Sequence, residues 1–484
     1  MTLVLLSNSQ GHDHEYFPQR ALRHVSLRRL TAQAAWHERC KVRFNSFSVS
    51  NLRAVKKFEI DDINDFVVVA GQNGSGKSCI FDAIRLLKSV YGGYLANEYH
   101  QWFGEFAVSL QDRSSVQKLF RDQSQPIVIE AHISFADSEV AYLRENTEAL
   151  VQPIAWQEVT GQSIDWWTWS RLAIATQLRY QEPALTKRCA ELAEDVRTAL
   201  ENSVHTLSLR IMPNGEMQTS VCKPAEAAFQ AYEPEHLGII EYHSASRTYA
   251  RQAVGGINLD ARAFEDQRRQ NRLYNSATKY QNIKTELAQS YLRSLIAEKA
   301  GQVTAKQDLN DTLSELFRTF FPDKTYQGAR PRPNGDLEFP VRLSSGEEHD
   351  IDELSSGEKE ILYGYLKLRN STPRNSVLLI DEPELHLNPS LLQGYTDFYY
   401  RHLGLEQNNQ LWLVTHSDAL LRQAVGNMNY GVYHMIPAGS LEKSSQNQAV
   451  EVVADDDVER VAIELVGDLA SYQPRGKVVV LEGK

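Results

Sequence analysis

The sequence predicts a mixed α/β fold built in two halves. Three observations predict it. Phe66-Val-Val-Val-Ala70 is an apolar, β-branched run that passes through a glycine loop into a helical pattern. Val377-Leu-Leu-Ile380 is a second buried-strand pattern, and it ends on Asp381 and Glu382. Between them lies a long stretch of mixed strand and helix signals, helix-compatible over 260–320.

The first half is the most specific. Gly71, Gly76, Lys77 and Ser78 satisfy G-x-x-x-x-G-K-[ST], directly after the Phe66–Ala70 strand. Ile80, Phe81, Ile84, Leu87 and Val90 then recur at helical spacing, and Gly92-Gly93 can end the helix. Glycines let backbone N–H groups approach anionic oxygens, the helix start adds partial positive charge, and Lys77 adds a full one. The Ser78 hydroxyl suits Mg²⁺. The candidate nucleotide-binding residues are therefore Gly71, Asn73, Gly74, Ser75, Gly76, Lys77, Ser78 and Cys79, with ATP and Mg²⁺ as the expected ligands. The competing reading is an ordinary glycine turn, and the strand–loop–helix context weighs against it.

Composition narrows the class. The chain has 484 residues, 42% of them apolar, enough for two to four domain-sized units. No run of about 18 apolar residues occurs, so no membrane span is expected. The start, Met1-Thr-Leu-Val-Leu-Leu, has neither a preceding basic region nor a cleavage site, so no signal peptide is expected. Cys40, Cys79, Cys189 and Cys222 are far apart and form no C-x-x-C, which indicates neither a zinc site nor a disulfide framework. A reducing cytoplasm is the expected location. Net charge is −11, which argues against a uniformly basic nucleic-acid coat. The one basic segment runs from Arg20 to Arg43 and reads first as a solvated arm.

The remaining elements follow in order. Val42, Phe44, Phe47 and Val49 predict a strand, and Val55 with Phe58–Ile60 its hairpin partner. Ile127–Phe135 alternates as a strand, and Ala184–Ser203 is helical. His205–Met212 and Met217–Cys222 flank Pro213-Asn-Gly-Glu as a hairpin. Ile239–His243 is a short strand leading to Arg247. Trp156, Trp166, Trp167 and Trp169 read as packing residues. Ile283, Leu287, Tyr291 and Leu295, then Leu309, Leu313 and Phe317, predict a modest helical hairpin. Leu337–Leu343 is extended, Glu360–Leu368 helical, Leu411–Val414 a strand, a helix follows Pro389, and Val458–Leu469 is helical.

Three more motifs carry chemistry. Asp381 and Glu382 end a buried strand, where Asp381 suits the Mg²⁺ shell and Glu382 suits a base for an attacking water. Leu354-Ser-Ser-Gly-Glu358 opens a helix. Ser355 and Gly357 can present a hydroxyl and a bare amide to an anion, or Ser355 and Glu358 can simply cap the helix. His416, in Val414-Thr-His-Ser-Asp418, follows a strand and can hydrogen-bond a γ-phosphate.

The order phosphate loop, L-S-x-G, strand-Asp-Glu, strand-His resembles that of ABC-type ATPases. The resemblance implies a two-lobed ABC-type P-loop head with a helical insertion of modest length between the halves. It also implies a homodimer, extendable to a higher oligomer, with two nucleotides sandwiched between heads. Ser355, Gly357 and Glu358 would then act in trans on the partner's nucleotide, and Lys77, Glu382 and His416 would be catalytic. Asn51-Leu52-Arg53 resembles the Asn-Phe-Arg of recombination and chromosome-maintenance members, whose arginine approaches phosphate. The D-loop position, usually Asp, resembles Asn388 here. Gly76 and Leu354 lie 278 positions apart, a spacing that resembles the SMC and RecF class more than transporter heads. The string Glu382-Pro-Glu-Leu-His-Leu-Asn-Pro389 is similar to OLD-family ATPases, a family that includes anti-phage systems such as Gabija and PARIS. That implies a sensor or scaffold controlling a Toprim-like nuclease effector, with a phage protein or DNA as trigger. The alternative is a repair ATPase that clamps DNA. Val478–Lys484 resembles the first strand of a Toprim domain, and reads equally as a last strand of the ATPase. With Glu482 as its one such carboxylate, the chain is not expected to cut nucleic acid by itself. The expected organisation is a basic arm (1–40), an N-terminal lobe (41–250), a helical dimerisation hairpin (251–325), a C-terminal lobe (326–440) and a linker or effector contact (441–484).

Overall fold

The computed structural model describes residues 43–162, 171–249, 251, 254, 261–299, 309–333, 336–441, 443, 445–453 and 455–466. The basic arm, Trp166, Trp167, Trp169 and the Val478–Lys484 strand pattern lie outside the described residues. The strands in chain order are β1 (Arg43–Ser50), β2 (Lys57–Ile60), β3 (Phe66–Ala70), β4 (Ile127–Ser134), β5 (His205–Ile211), β6 (Met217–Thr219), β7 (Ile240–His243), β8 (Lys324–Tyr326), β9 (Arg330–Pro331), β10 (Leu337–Glu338), β11 (Pro340–Leu343), β12 (Glu348–Asp350), β13 (Val377–Asp381), β14 (Gln410–Thr415), β15 (Tyr430–Met435) and β16 (Ala449–Glu451).

A six-stranded sheet in the order β16-β15-β3-β14-β13-β7 organises the molecule. Its central pairings are parallel, and β16 runs antiparallel at one edge. Parallel sheets need cover on both faces, so their strands read as unbroken apolar runs. β3, β13 and β14 are accordingly buried at every residue. Alternation sends Val67, Val69 and Leu379 into one core and Phe66, Val68 and Ile380 into another.

The first core is closed by the helix Lys77–Tyr91 and by a five-stranded antiparallel sheet, β2-β1-β4-β5-β6. Phe44, Phe47 and Val49 of β1 meet Ile80, Phe81 and Ile84 there. The second core takes Ile283, Leu287, Leu309, Leu313 and Phe317 from the helices Ile283–Lys299 and Leu309–Phe320, with Ile361 and Leu366 from the helix Ser356–Ser371. A small β12-β11-β8 sheet precedes that last helix. At the β7 edge, Tyr242 N–H donates to the Arg272 carbonyl at 3.1 Å, and buried Glu241 pairs with Arg272 and Lys279. The exposed row of backbone groups is thus covered.

Several features differ from the sequence reading, among them the two that follow. The helix Arg171–Ala199 runs through Pro183, whereas the expectation placed its start after that breaker. β15 had no sequence signal, because Gly431, Tyr433 and His434 interrupt the apolar run, yet it pairs with β3 along its whole length. Trp156 is buried against Leu185.

The two sheets are stitched at β14. Gln410 accepts from Phe44 N at 2.9 Å and donates to the Phe44 carbonyl at 3.0 Å. Trp412 is fully buried and meets the rings of Phe44 and Phe47 edge-on, each at 6.0 Å between centroids. Trp412→Ala is expected to cost about 3–5 kcal/mol, read as a lowered denaturant midpoint of the whole chain.

Candidate functional site

The site forms at the carboxyl ends of β3, β13, β14 and β7, where open α/β sheets bind ligands. Gly71 N–H donates to the Thr415 carbonyl at 3.2 Å, which seats the loop on β14. A Cβ on Gly71 would lie 2.8 Å from the Met435 carbonyl, so β15 leaves room for glycine alone. Gly76, at φ 102°, needs the left-handed conformation that lets the helix begin at Lys77. Asn73 and Gly74 form the exposed tip, and Ser75 is buried.

Lys77 curls back over its own loop. Its ammonium donates to the carbonyls of Gly71 at 2.8 Å and Gln72 at 3.0 Å. Burial pulls its pKa down, against the opposing pull of Glu382, Glu384 and Asp381. Ser78 is exposed, and its hydroxyl donates to Asp381 Oδ1 at 3.2 Å. Asp381 Oδ2 accepts from the Tyr242 hydroxyl at 3.0 Å. Burial pushes the Asp381 carboxyl up to about 6, with Glu382 and Asp82 adding to the shift and Tyr242 and Ser78 opposing it. Cys79 differs from its neighbours: its N–H donates to the Gly76 carbonyl at 3.0 Å, and its thiol lies in the core, where burial raises its pKa.

Glu382 sits at φ 45°, a left-handed conformation rare for a non-glycine residue. Its N–H donates to the Val414 carbonyl at 2.9 Å. His416 Nδ1 lies 3.1 Å from Glu384 Oε1 and 3.6 Å from Glu382 Oε1. The Glu384 carboxylate also accepts from the Thr415 hydroxyl at 2.6 Å and from His416 N–H at 2.7 Å. It therefore fixes the backbone of His416 and lies beside its ring.

The structure thus brings Lys77, Ser78, Asp381, Glu382 and His416 together. Arg53 instead pairs with Asp82 at 2.8 Å and lies over the Phe106 ring at 4.5 Å. Ser355 and Glu358 form a capping box: Ser355 N–H and hydroxyl donate to Glu358 Oε2 at 2.9 and 2.8 Å. Glu358 also pairs with Lys324 at 2.7 Å. Ser355 and Ser356 are exposed. Gly357 is buried, and a Cβ there would meet the His386 carbonyl at 2.8 Å. Asn388 caps the helix Pro389–Leu392, accepting from Leu391 N–H at 3.1 Å.

Four further residues complete the arrangement. Tyr242 and Glu384 contact the central carboxylate and histidine, as above. Arg247 reaches the Asp381 carbonyl at 2.8 Å and the Glu382 carbonyl at 2.9 Å. Gln448, fully buried, donates to the carbonyls of Ser75 at 3.3 Å and Ile436 at 2.9 Å and accepts from Lys56 N–H at 2.7 Å. Glu384 was readable in the Asp-Glu-Pro-Glu string; the other three carry no local signal.

The AAA ATPase domain family matches residues 43–421. The chain belongs to that family. The span of this AAA ATPase domain runs from β1 to Leu421, just past His416, and so takes in every converging residue except Gln448. Solved structures similar to this AAA ATPase domain protein include an SMC head bound to the C-winged helix domain of ScpA, with 14% identity, 85% of this chain and 99% of that one covered, and a TM-score of 0.40. Another is the Smc head with an extended coiled coil bound to the C-terminal domain of ScpA from Pyrococcus furiosus, at 14% identity, 87% and 98% coverage and a TM-score of 0.41. A third is the SMC head domain from Thermotoga maritima, at 13% identity, 85% and 100% coverage and a TM-score of 0.39. No curated protein matches the chain. Among the described residues, no helix is long and apolar enough to cross a membrane.

Gly357→Ala should lower the thermal midpoint, at a cost of about 1–3 kcal/mol, because the added methyl meets a backbone oxygen. Ser356→Ala, at an exposed neighbour, should stay within about 0.5 kcal/mol.

Proposed function

We propose that the chain is a Mg²⁺-dependent ATP hydrolase whose heads pair across nucleotide. The observation that carries this is the convergence of Lys77, Ser78, Asp381, Glu382 and His416 at one sheet edge. Lys77 binds β- and γ-phosphate oxygens, exchanging its two carbonyl partners for charged ones. Glu382 orients water and takes its proton, and His416, held by Glu384, donates to the γ-phosphate.

The donor set fits Mg²⁺. A buried carboxylate stands beside an exposed hydroxyl, and a cation there would offset the burial that pushes the carboxyl's pKa up. Mg²⁺ takes one or two protein ligands together with phosphate and water. Among the described residues no group of three or more His, Cys, Asp or Glu is arranged to hold a metal ion, and Mg²⁺ on this pair needs none. Ser78 and Asp381 would hold it, and it would neutralise phosphate charge.

Exposed Ser355 and the Gly357 amide, at the start of the helix Ser356–Ser371, face the nucleotide of a second copy. Arg53 leaves Asp82 for phosphate. Engagement of two heads then holds or releases an effector. From the similarity of Glu382–Pro389 to OLD-family ATPases, the effector is a Toprim-like nuclease of an anti-phage system. Purification from the native locus should recover such a protein and release it with ATP. ATPase stimulation by duplex DNA, with salt-sensitive binding and no co-purifying protein, would favour the DNA-clamp role instead.

Lys77→Ala should abolish ATP binding in a fluorescent-nucleotide titration. Glu382→Gln should keep binding, lose turnover by about 100-fold or more, and accumulate ATP-bound dimers in size-exclusion chromatography. Turnover of Glu382→Gln at the unmodified rate would refute its role as base.

A further inference from the structure

Arg247 stands just beyond β7, and its side chain is only 1% exposed. The guanidinium addresses four acceptors. Nε donates to Glu360 Oε1 at 2.5 Å, Nη1 to the carbonyls of Asp381 at 2.8 Å and of Ser244, and Nη2 to the Glu382 carbonyl at 2.9 Å. Three of these lie at the ends of β7 and β13. The fourth belongs to the helix Ser356–Ser371, one turn past Gly357.

We infer that Arg247 is a positioning residue: it locks Glu382 in its left-handed conformation and ties it to the helix whose start closes the partner's nucleotide site. The inference rests on the proposed roles of Glu382 and of the Ser355–Gly357 turn.

Two observations carry it. Glu382 at φ 45° is a conformation that persists only where its surroundings impose it. Its N–H is held by the Val414 carbonyl, and its own carbonyl by Arg247. The same helix touches the same turn a second time, because Gly357 packs on the His386 carbonyl, and His386 is itself left-handed at φ 68°. A shift of the helix start is therefore passed to the Glu382 turn through two contacts. In a paired assembly, the helix start of one head reports on its partner's nucleotide, while Glu382 serves its own. Arg247 would make the two hydrolysis events interdependent. A lysine cannot substitute, since one ammonium does not reproduce a planar fork spanning four acceptors.

A buried ion pair that only supports the fold is the competing explanation. The test is a double-mutant cycle in the full chain, combining Arg247→Lys with Glu382→Gln. ATP affinity, kcat, Hill coefficient and thermal midpoint are measured for each variant. Arg247→Lys should lower kcat by about 10- to 100-fold while ATP affinity stays within about twofold. Its Hill coefficient for ATP should fall toward one. In the Glu382→Gln background it should add no further loss of turnover, because it acts through that residue. Glu360→Gln should reproduce the kcat loss, and it carries the test if Arg247→Lys does not fold. An unchanged kcat in Arg247→Lys and Glu360→Gln would overturn the inference, as would loss of ATP affinity in step with thermal stability. A wild-type rate in Glu382→Gln alone would overturn the base assignment, and with it the reason for positioning.

Discussion

The contact between the Ser78 hydroxyl and Asp381 joins residues 303 positions apart, and the site depends on it. It exists because β3 and β13 both lie against β14, so that the phosphate loop and the acidic turn leave the sheet at the same edge. Burial of those strands on both faces fixes their register, and a slip of one residue would exchange the two cores. The site is therefore held by hydrophobic alternation in the strands behind it.

Around that contact the polar groups divide into those gathered at the sheet edge and those that hold them. Lys77, Ser78, Asp381, Glu382 and His416 converge at the sheet edge. Glu384, Tyr242 and Arg247 stand behind them, each buried or largely so and hydrogen-bonded to the backbone or side chain of one of them, and buried Gln448 is bonded to the Ser75 carbonyl of the loop. Such supporting groups fix the position of the side chains in front of them. The strained Glu382 backbone is the clearest sign that position, not stability, governs this turn.

Much of this was legible in the sequence. Phe66–Ala70 and Val377–Asp381 announce themselves through β-branched apolar runs, and Gly71–Ser78 through the G-x-x-x-x-G-K-[ST] pattern between strand and helix. The supporting residues were not legible, for a physical reason. Tyr242, Arg247 and Gln448 act through contacts made across the sheet or between sheets, and nothing in a local pattern states which strands will be neighbours. β15 was hidden likewise: its burial comes from pairing with β3, and Gly431 and His434 fit there without adding apolar signal. Arg53 is a different case. Asp82 and Phe106 hold its guanidinium, and neither contact follows from Asn51-Leu52-Arg53 itself.

The most direct measurement of the central claim is the equilibrium affinity for ATP with Mg²⁺ and with chelator, in the unmodified chain and in Ser78→Ala and Asp381→Asn. If Ser78 and Asp381 jointly hold the cation, both variants lose the Mg²⁺-dependent gain in affinity and keep the affinity seen in chelator. A Mg²⁺-dependent gain equal to that of the unmodified chain in both variants would contradict the account.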